Sequence, residues 1–283
     1  MNMHHIAVIG AGTMGNGIAQ VCAVAGFDVT LLDVSDTALE RGMATVRKNL
    51  ERQVVKQTVA ADVAEAALGR ISLTTDYGQL NGAQLVIEAA TENLELKLRL
   101  LKQIAANVDH ECVIASNTSS LSITQLASSV EHPERFIGLH FFNPVPMMSL
   151  IEVIRGLQTA DTTHIAAIKL AERLNKTAIT AGNRPGFVVN RILVPMINEA
   201  ILVLQEGLAT AQDIDDGMRL GCNQPIGPLA LADLIGLDTL LAIVEAFHDG
   251  FNDSKYRPAP LLMEMVAAGY LGRKTGRGFF TYN

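Results

Sequence analysis

Ile6-Ala7-Val8-Ile9-Gly10-Ala11-Gly12-Thr13-Met14-Gly15 is the stretch that decides the fold. Its first four residues read as a short buried strand, the glycines as a tight turn, and the apolar spacing from Met14 through Val24 as a helix. Val29-Thr30-Leu31-Leu32 repeats the strand signal and ends at Asp33. Together these segments spell a βαβ unit, whose usual setting is a parallel sheet. Within it, Gly10, Gly12 and Gly15 match the dinucleotide pattern GxGxxG. Gly10 permits the turn, Gly12 lets the backbone approach a pyrophosphate, and Gly15 allows close helix-to-strand packing. Thr13 and Met14 open the helix whose N-terminus faces the phosphates. Without a strand before and a helix after, such glycines would be an ordinary turn. Asp33 strengthens the pattern, because a carboxylate there accepts hydrogen bonds from ribose hydroxyls and repels a 2′-phosphate. Val34 and Ser35 bring no compensating arginine, so NAD is expected rather than NADP.

Outward from this unit, Asp36 to Gly69 is helical in pattern, too long for one crossover helix, and predicts a projecting helical hairpin. Strand signals recur at Leu85-Val86-Ile87, Cys112 to Ala115, Phe136 to Phe142, Leu150 to Ile154 and Ala178 to Thr180. Helical patterns occupy Glu92 to Asn107 and Ala160 to Leu174. After Gly182-Asn183-Arg184-Pro185-Gly186 the period is helical throughout. The expectation is an α/β Rossmann-like domain with a helical hairpin insertion over 1–184, then an all-helical domain over 185–283.

Composition narrows the class. Hydrophobic residues make up 49% of the 283 and charged residues 18%, the balance of a globular protein with substantial buried surface. A net charge of -7 argues against nucleic acid, because phosphate neutralisation needs a broad basic face. Any anionic ligand must find a local basic site. The three cysteines, Cys22, Cys112 and Cys222, are far apart and odd in number, which supports neither a disulfide framework nor a zinc pattern. No metal is expected. The longest apolar run, Val188 to Leu204, is interrupted by Asn190, Arg191, Asn198 and Glu199 and does not read as a membrane span. Met1-Asn2-Met3-His4-His5 leads straight into the first strand, so no targeting segment is expected and a reducing cytoplasm is the simplest home.

Two polar residues sit where the pattern predicts buried surface. His140 interrupts Phe136 to Phe142, and Glu152 interrupts Leu150 to Ile154. A buried carboxylate without a partner costs several kcal/mol, and His140 is the obvious partner if Asn143 to Ser149 connects neighbouring strands. Such a pair can exchange a substrate hydroxyl proton, the carboxylate orienting the imidazole. It can equally be a core histidine satisfied by a core acid. A neighbouring dinucleotide favours the first reading, since hydride transfer from an alcohol needs a proton acceptor. Ser116-Asn117-Thr118-Ser119-Ser120 follows a strand at the end where open α/β sheets place ligands, although the same residues serve as caps and turns. Lys48, Arg52 and Lys56 repeat every four residues and share one helix face, either a phosphate-binding stripe or a solvated one.

These stretches, together with Glu88-Ala89-Ala90-Thr91-Glu92, His140-Phe141-Phe142-Asn143-Pro144, Asn183 to Arg191 and Lys274 to Phe280, resemble the short-chain L-3-hydroxyacyl-CoA dehydrogenase family end to end. The resemblance implies that His140 is the general acid/base with Glu152 as its partner, and that Ser119 and Asn190 hydrogen-bond the substrate near the reacting carbon. It implies that Glu92, Lys97, Ser119, Asn143 and Lys274 surround NAD, and that Lys56 contacts CoA. It further implies an acyl-CoA substrate, an active site in a cleft between the domains, and a homodimer formed through the second domain. Asn183 departs from the aspartate of many relatives. Two other readings stay open at this point. A 3-hydroxyisobutyrate-type dehydrogenase would use a lysine as acid/base, and a crystallin-like binding protein would keep the fold without turnover.

Overall fold

The structure is a computed structural model and describes residues 3–282. Contacts divide the chain into two compact units, with the division between Arg184 and Pro185.

In the first unit, β1 (His5–Ile9), α1 (Thr13–Val24) and β2 (Asp28–Leu32) form the βαβ unit. The helical stretch resolves into α2 (Asp36–Val55) and α3 (Ala61–Gly69), the expected hairpin. Ser35 caps α2 by accepting a hydrogen bond from the Ala38 amide. Then follow β3 (Ile71–Thr74), β4 (Leu85–Glu88), α4 (Leu94–Ala105), β5 (Val113–Ser116), α5 (Ile123–Ala127), β6 (Phe136–Phe141), β7 (Leu150–Arg155), α6 (Asp161–Arg173) and β8 (Thr177–Gly182). The sheet order is β3-β2-β1-β4-β5-β6-β7-β8. Neighbours are parallel except β6 and β7, which are antiparallel.

β1, β4, β5 and β6 are apolar at nearly every position because both faces of the sheet are covered. Ile6, Val8, Leu31, Ile87, Ala115 and Ile137 have no exposed surface. β3 carries no strand signal in the sequence. It is an edge strand whose Ser72 and Leu73 face solvent, so it lacks the apolar run that marks the central strands.

The second unit is built from α7 (Val189–Gln205), α8 (Ala211–Asp216), α9 (Pro228–Ile235), α10 (Leu237–Phe251) and α11 (Pro260–Ala267). Ile197, Ile201, Leu229, Leu237 and Leu240 form its core with little or no exposure. A glycine-rich tail closes on Asp233, which is 1% exposed and accepts the Phe279 and Phe280 amides and the Tyr282 hydroxyl, each at 2.9 Å. Burial, and then the bond to Asp233, pushes the Tyr282 hydroxyl up to about 12. No helix among the described residues is long and apolar enough to cross a membrane.

Candidate active site

The turn after β1 shows what each glycine is for. Gly10 has φ +98, a conformation that disfavours L side chains, and a Cβ there would press on the Ala89–Ala90 backbone. A Cβ on Gly15 would lie 1.7 Å from the Gly10 carbonyl oxygen, so only glycine lets α1 start this close to β1. Gly12 is exposed and has nothing within 4 Å of its added Cβ, which leaves open space over the N-terminus of α1. No side chain caps that helix end. Asp33 closes β2, with Oδ2 accepting the Ala11 amide at 2.8 Å and Oδ1 the Ser35 amide at 3.2 Å. A carboxylate is thus fixed beside a helix N-terminus whose glycines admit a phosphate chain, and the residues fit a dinucleotide.

His140 and Glu152 are directly opposed in the antiparallel β6–β7 register. Nδ1 of His140 lies 2.6 Å from Oε2 of Glu152, and the two side chains are 8% and 0% exposed. An ionised carboxylate only accepts, so Nδ1 donates and the ring tautomer is set. The imidazole also packs on Phe142, ring centroids 4.5 Å apart. Both residues sit near the carboxyl end of β6, the end of the sheet at which the glycine turn follows β1.

Ser119 lies in the loop after β5 and is half-buried. Glu92 organises that loop. Its Oε1 accepts the Ser119 amide at 2.8 Å and the Ser119 hydroxyl at 3.2 Å, and its Oε2 accepts the Thr118 hydroxyl at 2.8 Å. Asn117 carries the loop across to β6 by accepting the Phe141 amide at 2.8 Å. Asn143 is exposed just beyond β6.

Lys97 is placed differently from the other residues that the resemblance puts around NAD. It is 1% exposed, and its Nζ donates to Glu88 Oε2 at 2.5 Å and to Ser116 Oγ at 3.2 Å. Lys274 and Asn190 belong to the second unit. Lys274 is exposed and pairs with Asp238, holding that carboxyl below the usual carboxylate range chiefly through its hydrogen bond, and Asn190 stands in the first turn of α7. Lys48, Arg52 and Lys56 are all exposed on α2 and its C-cap, and none is in an ion pair among the described residues. Asn183 takes the Ile123 amide on Oδ1 and donates from Nδ2 to the Ser122 and Thr124 hydroxyls. An aspartate could keep the same partners if the two hydroxyls turned to donate.

A buried His-Glu pair, of a kind able to exchange a proton, at the ligand end of a sheet that also carries a dinucleotide turn fits, by class, a dinucleotide-dependent dehydrogenase. Residues 5–184 match the NAD binding domain of 3-hydroxyacyl-CoA dehydrogenase, and residues 186–282 match its C-terminal domain. The chain is 51% identical over 277 residues to 3-hydroxybutyryl-CoA dehydrogenase of Bradyrhizobium diazoefficiens, covering 98% of this chain and 94% of the relative. It is 46% identical over 278 residues to the Clostridioides difficile protein of the same name, covering 98% and 99%. The crystal structure of (S)-3-hydroxybutyryl-CoA dehydrogenase from Ralstonia eutropha superposes with a TM-score of 0.98 at 57% identity, covering all of both chains. The chain belongs to the 3-hydroxyacyl-CoA dehydrogenase family.

Proposed function

We propose that this chain catalyses the reversible oxidation of (S)-3-hydroxyacyl-CoA to 3-ketoacyl-CoA with NAD, and that 3-hydroxybutyryl-CoA and acetoacetyl-CoA are its preferred pair. The observation that carries the chemistry is the 2.6 Å contact between His140 and Glu152 at the dinucleotide end of the sheet. The substrate preference is supported by the names of the full-length relatives. With Nδ1 committed to Glu152, Nε2 is the ring nitrogen that takes the proton from the 3-hydroxyl. Glu152 stabilises the imidazolium that results, and its burial strengthens that interaction. The bound dinucleotide supplies the acceptor for the hydride that leaves C3. Ser119, oriented by Glu92, and Asn190 are assigned to the substrate oxygen. The test is NADH oxidation with 3-ketoacyl-CoA substrates of increasing length. Highest efficiency with the four-carbon thioester is expected, and absence of turnover with every thioester would overturn the reading.

The basic face of α2 is assigned to the CoA phosphates, with Lys56 as the contact. Lys56→Ala is expected to raise the KM for acyl-CoA about threefold to fivefold, the value of one exposed ionic contact, with little change for NADH or kcat. An unchanged KM at low salt would return the stripe to a solvated face.

A homodimer through the second unit is supported by the large apolar side chains which that unit leaves exposed, Ile192 at 67%, Leu208 at 76% and Leu220 at 80%. Light scattering at micromolar concentration would reject the dimer if it returned the monomer mass. The proposed compartment is the cytoplasm, in keeping with Cys22 and Cys112. Both are free thiols that burial pushes up to about 12, which makes them unreactive.

A further inference from the structure

Beneath the dinucleotide turn lies a cluster of polar groups that the proposed chemistry does not use. Glu88 ends β4, Ser116 ends β5, and Lys97 stands early in α4. The three are 0%, 0% and 1% exposed. The Glu88 carboxylate is fully engaged: Oε1 accepts the Ala90 amide at 2.9 Å, and Oε2 accepts Lys97 Nζ at 2.5 Å and Ser116 Oγ at 2.8 Å. Lys97 also donates to Ser116 at 3.2 Å, which closes a ring of three. Removing two charges from water is costly, and well-packed apolar residues of similar volume usually stabilise a core as well or better. What the charged set provides beyond cohesion is a fixed position for each atom it holds.

Those atoms border the site on two sides. The Ala89–Ala90 backbone held by Oε1 is the wall behind Gly10, so close that a Cβ on Gly10 would lie 2.7 Å from the Ala90 Cα. The Glu88 carbonyl accepts the Asn117 amide at 2.8 Å, and Asn117 in turn holds the Phe141 amide next to His140. Ser119 follows two residues later, tied to Glu92, which lies on the segment joining Glu88 to α4. One buried carboxylate therefore joins the back of the glycine turn, the loop bearing Ser119 and the helix bearing Lys97.

We propose that Glu88 is a positioning residue for the dinucleotide. Paired with Lys97 and Ser116, it sets the spacing between the Gly10 turn and the loop after β5. The assignment rests on the dinucleotide reading given above. It predicts that Glu88 acts on cofactor affinity more than on CoA recognition, although it is out of reach of solvent.

Glu88→Gln keeps the shape but strands the Lys97 charge. In the full-length protein, NADH fluorescence titration without substrate is expected to give a Kd raised roughly tenfold or more, in line with the cost of misplacing binding groups by a fraction of an ångström. The KM for acetoacetyl-CoA should change far less, because the CoA contact assigned to Lys56 stands at the end of α2, outside the cluster. The double variant Glu88→Gln with Lys97→Met removes both charges and decides between positioning and cohesion, also if the single variant fails to fold. Its melting temperature is expected to return toward that of the unaltered protein while the Kd for NADH stays raised. A Kd that recovered together with the melting temperature would overturn the proposal, as would an unchanged Kd in a folded Glu88→Gln protein. Failure of the unaltered protein to bind NADH would instead remove the dinucleotide reading itself.

Discussion

Replacing His140 by alanine is expected to lower turnover by roughly 10²- to 10⁴-fold, the usual range for losing a positioned acid/base group. NADH affinity should persist, since the imidazole lies on β6 and the glycine turn follows β1. Glu152→Gln preserves volume and a hydrogen-bonding oxygen but removes the charge that favours imidazolium, so it should also reduce kcat in a folded protein. The two residues share one 2.6 Å contact, and groups that act as a unit are not additive. The double variant is accordingly expected to be little worse than His140→Ala alone. Losses that multiplied would show Glu152 acting independently of His140, and the dyad would have to be abandoned.

The second large effect concerns cofactor choice. Two backbone amides, those of Ala11 and Ser35, pin the Asp33 carboxylate at the end of β2. Its charge cannot easily move away from a 2′-phosphate, and juxtaposed like charges cost several kcal/mol, so kcat/KM with NADH should exceed that with NADPH by at least about 100-fold. Steady-state kinetics with both reduced cofactors measure this directly. Equal efficiencies would mean that Asp33 does not set the preference.

The first unit was legible because its strands and helices differ in period and because glycines punctuate it. Ile6 to Gly15 and Val29 to Asp33 carried the α/β domain, the unbroken helical pattern of Asp36 to Gly69 the α2–α3 hairpin, and the change of period after Gly186 the helical second domain, and the structure has all three. The closeness of His140 and Glu152 was also legible, since a lone polar residue in an apolar strand demands a partner. The same rule applies to Glu88 at the end of Leu85-Val86-Ile87 and to Ser116 after Val113-Ile114-Ala115, where it would have pointed to the buried cluster. What hid that cluster was Lys97. On a helix of charged and apolar residues a lysine reads as surface, and only the packing of α4 on the strand ends buries it. Asp233 was hidden for a similar reason. Its partners are backbone amides 46 and 47 residues away, and amides carry no side-chain signal in a sequence.

The antiparallel pairing of β6 with β7 has a consequence for how the protein tolerates change. His140 and Glu152 meet because they are register partners, and a strand side chain changes face with every step of one residue. A single inserted or deleted residue between Phe136 and His140, or between Glu152 and Arg155, would force the strand either to bulge or to carry one member of the pair out of reach. The segment from Asn143 to Ser149 is not bound in this way. Val145 is 2% exposed and the Ser149 carbonyl accepts the Thr177 amide at 2.7 Å, but Met147 between them is 73% exposed and Lys176 reaches only the carbonyls of Val145 and Met148. Length polymorphism should therefore collect in this connection and be absent from the strands on either side, so that the proton-transfer pair stays constant while the loop beside it diverges.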